Sequence, residues 1–482
     1  MDPVIIVGAG PTGLWLAAEL RLHDVPVTVL ETREERNPHS KAITIHPRTL
    51  ELLAMRGIAG RFVSAGTRIP TGHFGSLSQR MDFGVLDTAY PFTLFLPQVH
   101  TEELLEEHAT ALGATVLRGH RVTGLEQAAD AVTVLVAGPD RPYSLRASYV
   151  AGCDGTRSTV RRAAGIGFPG SEATVWGWLG DVVLDEPPAG PLSVSGPEGG
   201  VMALPLPGGV HRFVGMTVDD LRSDRPGELT LEEVRAKVVR VLGRDFGMRD
   251  PRWLSRFGNA ARQATDYRRG RILLAGDAAH MHFPAGGVGL NVGLQDAANL
   301  GWKLAATVRG TAPAGLLDTY HAERHPVGAE LLRHTQAQTA LLTAFSDDGQ
   351  ALRALLSSLI AEVPELSRTL AERLAALDVR YDPPDPGTAH PLTGTRAPDL
   401  AFADDDRTLY ALMRTGRHVL LDLTDDAPLE DSAPPEGGAT SWNADRHRVR
   451  LADPAGAWAT ARAVLIRPDG HVAWAVSAAA RR

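Results

Sequence analysis

Residues 4–31 read "VIIVGAGPTGLWLAAELRLHDVPVTVLE", and the order of their parts decides the fold. "VIIV" is a short apolar run suited to a buried strand, "PTGLWLAAELRLH" places apolar residues at helical spacing, and "VTVL" is a second strand. A strand, a helix and a strand in that order imply a parallel sheet. Between the first strand and the helix, "GAGPTG" fits GxGxxG at Gly8, Gly10 and Gly13. Glycine there allows a tight turn, a close backbone approach to a pyrophosphate and close packing of helix on strand, with the helix N-terminus facing the negative charge. Glu31 ends the second strand, 23 residues after Gly8. A carboxylate at that place can accept both ribose hydroxyls of an adenosine and disfavours a 2′-phosphate by charge repulsion. A bound dinucleotide is the expectation.

Two more apolar runs end in aspartate: "SYVAGCDG" (148–155) at Asp154 and "RILLAGDAA" (271–279) at Asp277, each followed by a helical pattern. Doubly wound folds place ligands at the carboxyl ends of their strands, so three distant segments are expected to build one site. A dehydrogenase holding one NAD has no use for two extra strand ends. FAD does, because its ribitol and pyrophosphate extend across several of them. Asp277 suits a ribitol hydroxyl, and Asp154 sits where it can reach both cofactors and order the groove. The competing reading makes each aspartate a plain helix cap.

The rest of the chain narrows the class. Its 482 residues suggest about three domains, and 44% hydrophobic with 22% charged residues is ordinary for a globular enzyme. A net charge of −8 argues against nucleic-acid partners, which require clustered Lys and Arg. The single Cys153 excludes an internal disulfide and a CxxC site, and reads as a small buried residue. No signal peptide and no membrane span are expected, so the cytoplasm is the default setting. His280 and His282 lie two apart, but no HExxH and no ligand cluster accompanies them, and no metal is expected.

Residues 1–66, 98–170 and 267–380, the last ending in Ala- and Leu-rich helices, form the expected cofactor-binding part. Residues 67–97 and 171–266 form a second, mostly antiparallel part, with stretches such as "WGWLGDVVL" and "VHRFVGMTV" around the helical "LTLEEVRAKVVRVLG". The five prolines of "YDPPDPGTAHPLTGTRAPD" (381–399) read as a linker. Residues 400–482 then form a small mixed domain, including a hairpin, "AVLIRPDGHVAWAV", turned at Pro468, Asp469 and Gly470.

The trio "GAGPTG", "GCDGTRSTVR" and "LLAGDAAHMHFPAGGVGLN" resembles the group A flavoprotein monooxygenases of the para-hydroxybenzoate hydroxylase type. Among these the chain is most similar to actinomycete hydroxylases of aromatic polyketides, the angucycline hydroxylases, with rifampicin monooxygenases nearby. "TGHFGSL", "DFGVLD", "DAANLGWKLAA", "LLDTYHAERHPVG" and "LIRPDGHVAW" have counterparts there, so the likeness spans nearly the whole chain.

The resemblance implies a Rossmann-like, doubly wound FAD-binding domain, a mostly antiparallel substrate domain and a C-terminal thioredoxin-like domain, here without the cysteines of disulfide exchange. It implies that NADPH or NADH reduces FAD, that dioxygen then yields a flavin hydroperoxide, and that an electron-rich aromatic carbon receives the oxygen. A small aromatic substrate and dioxygen are the implied partners, and a homodimer stays open. Thr12 and the glycines would meet the pyrophosphate, Glu31 the ribose, the backbone at Val122 the adenine, Gln98 the ribitol or phosphates, and Asp277 the ribitol. Pro284, Gly286, Gly287 and Gly289 would let backbone lie against the flat ring, with Leu290 and Asn291 at its edge. The following helix would aim its N-terminus at the charge of the reduced ring. His46 and Arg48 in "ITIHPRTLE" are candidates for lining the nicotinamide groove, against helix capping or a surface salt bridge. No catalytic base is named.

Two residues depart from the family pattern. Lys41 in "HSKA" stands where Arg is usual and lacks its planar fork. Val288 stands where Gln is usual, which removes an amide expected near the flavin and leaves the reaction outcome open. The readings left beside hydroxylation are Baeyer–Villiger oxygen insertion on the same scaffold and a non-catalytic flavin- or polyketide-binding protein. A flavin halogenase is the weaker rival, since "WGWLGD" only partly echoes the WxWxIP signature.

Overall fold

A computed structural model describes residues 2–383, 389–424 and 444–477. Strand Val4–Val7 lies at the centre of a six-stranded sheet. It pairs in parallel with Val27–Glu31 on one side and Tyr149–Gly152 on the other. Thr115–Arg118 and Ile272–Leu274 extend the parallel array outward, and Arg268–Arg269 closes one edge antiparallel. Val4, Ile5 and Ile6 are fully buried, as a strand covered on both faces requires. Helix Pro11–Arg21 packs on the sheet and against helix Gly289–Val308, so closely that a Cβ at Gly301 would stand 2.5 Å from the Glu19 Cβ. Because the strands run parallel, the three segments named by the sequence all end at one edge of the sheet.

A separate five-stranded antiparallel sheet runs in the order Leu192–Gly196, Gly199–Pro205, Val210–Thr217, Trp176–Leu184 and Met248–Gly258. Alternation along its strands separates two faces. One carries Trp178, Val182, Val201 and Phe213 and packs on Val234 and Val238 of helix Leu231–Leu242. Thr230 starts that helix by accepting the Glu233 N–H, and left-handed Gly243 ends it. The opposite face carries Leu179, Asp181, Arg212, Met216, Trp253 and Phe257, aligned by register. It looks onto the first sheet's carboxyl edge: Phe257 and Met216 pack with Phe283 and Ala285, and Trp253 stacks on His39 at 5.2 Å.

Residues 313–380 hold the long helices Thr319–Leu342, Asp347–Glu362 and Pro364–Ala375. Beyond them a four-stranded mixed sheet runs Asp445–Arg448, Val419–Asp422, Ala461–Ile466, Val472–Ser477. Its last two strands are the expected hairpin, but the turn between them is no solvent loop. Asp469 is 2% exposed, and the tip is driven into the first domain. The Arg48 and Arg56 guanidinium groups donate to the carbonyls of Asp469 (2.7 Å) and Pro468 (2.9 Å). The proline-rich stretch expected as a linker is also packed where it is described: Tyr381, Leu392 and Ala397 are buried, and the Tyr381 ring packs tilted against His471 with centroids 4.3 Å apart. Residues 384–388 of that stretch, and 425–443 and 478–482 of the terminal domain, lie outside the described residues.

Candidate active site

The three strand ends meet at two glycine contacts and one threonine. Gly8, with φ +105°, leaves so little room that a Cβ there would sit 2.5 Å from the Cys153 carbonyl oxygen and 3.1 Å from the Asp154 Cα. The Thr12 hydroxyl fills the other junction: a Cβ at Gly276 would lie 2.8 Å from it, and one at Gly293 2.4 Å. No side chain caps helix Pro11–Arg21, whose N-cap is Gly10, so its first N–H groups face outward as a cradle for anionic oxygen. The Glu31 carboxylate is pinned by the N–H groups of Ala9 and Arg33, both at 2.9 Å, one on each oxygen. Each oxygen keeps a second lone pair for a ribose hydroxyl.

Asp277 sits on the turn Gly276–Ala278, exposed and without a hydrogen bond within the described residues. That turn is held from beneath by Asp296, a residue that sequence reading did not single out. Its carboxylate takes the Gly276 N–H (3.1 Å), His280 Nε2 (2.7 Å) and Arg324 Nε (2.7 Å). Burial would push this carboxyl up, but the Arg324 and His280 beside it hold it below the usual carboxylate range. His280 is therefore a buried support, and His282 turns its ring to the Phe283 carbonyl at 2.7 Å.

The loop after Asp277 needs its glycines. Gly286 and Gly287 have φ +74° and +66°, and a Cβ on Gly287 would stand 2.4 Å from the Thr44 hydroxyl. His46 donates from Nε2 to the Gly286 carbonyl at 2.9 Å. Burial lowers its pKa to about 4, so the ring is neutral at pH 7. Asn291 staples the loop to strand Thr44–Ile45: Oδ1 accepts the His46 N–H (2.8 Å), and Nδ2 donates to the carbonyls of Thr44 (3.2 Å) and Gly287 (3.0 Å). Its amide is thus committed to the fold, and with Leu290 it has backbone to offer at the uncapped start of helix Gly289–Val308. Pro284 precedes this loop as the N-cap of turn Ala285–Gly287, and a Cβ on Gly289 would stand 2.9 Å from His282 Nε2.

The remaining expected residues divide. Lys41 is exposed. Gln98 is tied down, its Oε1 taking the Ala42 N–H at 3.0 Å and its Nε2 donating to Glu102 at 2.7 Å, so it braces the segment beside Lys41. Val122 lies on strand Arg121–Gln127 and, with Arg121, Thr123 and Arg162, walls a cavity of about 440 Å³. Asp154 uses one oxygen to accept the N–H groups of Thr159 (2.7 Å) and Val160 (3.1 Å), which is the helix-cap reading. Its other oxygen is buried without a partner, and burial raises its pKa. Arg48 belongs to no surface salt bridge: with Glu51 at 2.8 Å it forms a pair that is almost wholly buried. Val288 packs with Leu77, Phe83, Leu331 and Leu374, so this departure changes packing below the loop.

Sequence reading missed the charged pair on the second sheet. Arg212 donates from Nε and Nη2 to both oxygens of Asp181 at 2.7 Å, with the guanidinium 5.4 Å from the Trp253 ring centre. The two residues are 31 positions apart, and only antiparallel pairing makes them neighbours. Among the described residues no group of three or more His, Cys, Asp or Glu is placed to hold a metal ion.

This cradle fits FAD: glycines that let the strand ends close on one another, Gly10 with open space where its Cβ would be, two uncapped helix starts, an exposed Asp277 and a half-free Asp154. A pinned carboxylate stands at the ribose end. These features define a flavin-dependent oxidoreductase, and comparison with known proteins agrees. The family described as FAD binding domain matches residues 1–335, and that described as aromatic-ring hydroxylase, C-terminal, matches 390–482. The chain belongs to the FAD-dependent aromatic-ring hydroxylases.

It is 46% identical to the 12-dehydrotetracycline 5-monooxygenase/anhydrotetracycline 6-monooxygenase of Streptomyces rimosus, over 98% of this chain and 94% of that one. CabE, an aromatic hydroxylase from angucycline biosynthesis, is 46% identical with a TM-score of 0.88, over 99% and 97% of the two chains. A dialkyldecalin synthase of Streptomyces rugosporus is also similar, 38% identical over 98% of this chain and 96% of that one.

Proposed function

We propose that this monooxygenase hydroxylates an aromatic polyketide in the making or modification of an antibiotic, with NADPH or NADH as electron donor and dioxygen as oxygen source. The observation that carries this reading is the convergence of three strand ends, at Gly8 against Cys153 and Asp154 and at Thr12 against Gly276, with helix Gly289–Val308 meeting Thr12 at Gly293 and starting uncapped. Bound FAD would supply the electron storage and oxygen activation that no side chain provides. The chain's own residues hold and seal. Thr12 and its neighbouring N–H groups would bind the pyrophosphate, Glu31 the ribose and Asp277 the ribitol. The N–H groups of Gly289, Leu290 and Asn291 would face the anionic edge of the reduced ring, a helix-terminus effect worth about 0.3–1 kcal/mol. Phe257, Phe283 and Met216 form an apolar wall that excludes water beside the loop.

Among the described residues there is no second nucleotide fold for the nicotinamide, consistent with a donor that visits the flavin groove briefly. The working setting is the cytoplasm, and light scattering of the purified protein decides between one copy and a homodimer. The purified protein is expected to be yellow, and an angucycline, anthracycline or ansamycin is expected to accelerate its NADPH oxidation. Labelled dioxygen should place one labelled atom in the product, located by NMR. Failure of every polyketide to accelerate NADPH oxidation defeats the proposal. A second reading, ring formation by a cycloaddition without net oxidation, is favoured by the similarity to the Diels-Alderase PyrE3 of pyrroindomycin biosynthesis, 35% identical over 99% of this chain. It predicts a product isomeric with its substrate and no consumption of NADPH.

A further inference from the structure

The proline-rich stretch that sequence reading took for a linker carries a side chain that reaches the cofactor turn. Tyr381 is buried, and the terminal domain holds it from one side. Its backbone N–H donates to the Gly394 carbonyl (3.0 Å), and the Gly394 N–H donates to the Val472 carbonyl of the hairpin (2.8 Å). Its ring packs on His471 and lies 5.0 Å from the Arg467 guanidinium, one residue on each side of the hairpin turn. Docking of the terminal domain therefore fixes where the phenol points.

On the other side the hydroxyl accepts a hydrogen bond from Arg324 Nη1 at 3.2 Å. Burial raises the pKa of the phenol, so the guanidinium meets a neutral oxygen. Arg324 is itself buried, and its planar fork has three acceptors: this hydroxyl, Asp296 at Nε (2.7 Å) and the Val292 carbonyl at Nη2 (3.5 Å). The last bond is long, so Asp296 and Tyr381 between them set the plane of the fork. Asp296 in turn accepts the N–H of Gly276, the residue before Asp277, at 3.1 Å. The relay runs unbroken from the hairpin to the turn that presents Asp277. Asp277 makes no hydrogen bond within the described residues, so the place of its carboxylate is set by the turn alone. Without the Tyr381 hydroxyl, Nη1 would be a buried charged donor lacking an acceptor, and a fork that turned to find one would draw Asp296 away from Gly276.

We propose that Tyr381 is a positioning residue for the cofactor: through Arg324 and Asp296 its hydroxyl fixes the Gly276–Ala278 turn so that Asp277 meets the ribitol, and the docked terminal domain thereby governs FAD retention. This rests on the reading of Asp277 as the ribitol contact. A domain without a single cysteine acts on the redox centre through hydrogen bonds alone.

The test is a double-mutant cycle in full-length protein, read as the dissociation constant of FAD from flavin fluorescence. Tyr381→Phe keeps the packed ring and removes one oxygen. It should weaken FAD binding about five-fold, the size of one lost hydrogen bond. In an Asp277→Ala background the same change should alter binding less than about two-fold, because the turn then has no carboxylate to aim. Arg324→Lys keeps a cation beside Asp296 but lacks the second arm that reaches Tyr381; it should reproduce both results and serves if Tyr381→Phe does not fold. FAD binding unchanged by Tyr381→Phe, or a loss that persists undiminished beside Asp277→Ala, would show that Tyr381 only packs the seam and overturn the proposal. If Asp277→Ala by itself leaves FAD affinity as in the wild type, the ribitol reading falls first and this one with it.

Discussion

Asn291 and Asp277 stand 14 positions apart, one in the first turn of helix Gly289–Val308 and one on the turn Gly276–Ala278, and do opposite work. Asn291 is buried with every polar atom spent on backbone, while Asp277 is exposed with none spent. Asn291→Leu is therefore expected to lower the stability of the FAD-free protein by about 3 kcal/mol, because the His46 N–H and two carbonyls lose their partner. Asp277→Ala should leave that stability within about 0.5 kcal/mol and weaken FAD binding instead. Denaturant melts and a flavin titration on the two variants separate these roles.

Acid acts on another set of residues. Burial holds His46, His23 and His471 at about 4, well below the ordinary 6.5. A group with a depressed folded pKa binds more protons when unfolded, so its contribution is complete above pH 6.5 and is lost as pH falls towards 4. The melting temperature should thus begin to drop near pH 6.5, before most carboxylates titrate. A melting temperature flat from pH 7 to 5 would refute the burial of these rings.

At the scale of elements, helix Gly289–Val308 is gripped at both ends. Its first turn abuts the glycine loop, and its second half meets the hairpin tip of the terminal domain. The Asp469 carboxylate accepts from Asn299 (3.1 Å) and Trp302 (3.4 Å), and from Arg467 at about the same tip. Glu323 takes Lys303 (2.8 Å), Arg467 (2.7 Å) and Asn299 (2.6 Å). Burial would raise the Glu323 carboxyl, but Arg467 and Lys303 hold it down at about 2. Removing one partner from such a network leaves a buried charge unbalanced. Asp469→Ala should cost about 3–5 kcal/mol by chemical denaturation, although the residue sits in a turn that on sequence alone would tolerate change.

At the scale of the whole molecule, the terminal domain is a structural part of the first. Arg396 reaches Glu51 at 2.8 Å, Arg56 pairs with Glu19 at 2.7 Å while donating to Met413 and Pro468, and Gly470 lies against Met55 and Arg48. A chain cut before residue 390 exposes this charged seam, so it is expected to be insoluble or to be recovered without flavin. Sedimentation of the lysate and the absorbance of any soluble fraction check this. A soluble yellow fragment would show that the seam is dispensable.

Local chemistry wrote much of this into the chain. Apolar runs of strand length, GxGxxG after the first of them, Glu31 at the end of the next and glycines after Asp277 identify the parallel sheet, the cofactor class and the loop, because each depends on neighbours within a few residues. Which side chains in that loop are free and which are spent was decided only by the fold. Asn291 meets Thr44, Gln338 meets Gly75, Arg212 meets Asp181 and Asp469 meets Asn299 across separations that no periodicity records. A hydrogen bond between distant segments depends on the packing of everything between them, and that packing exists only once the chain has closed.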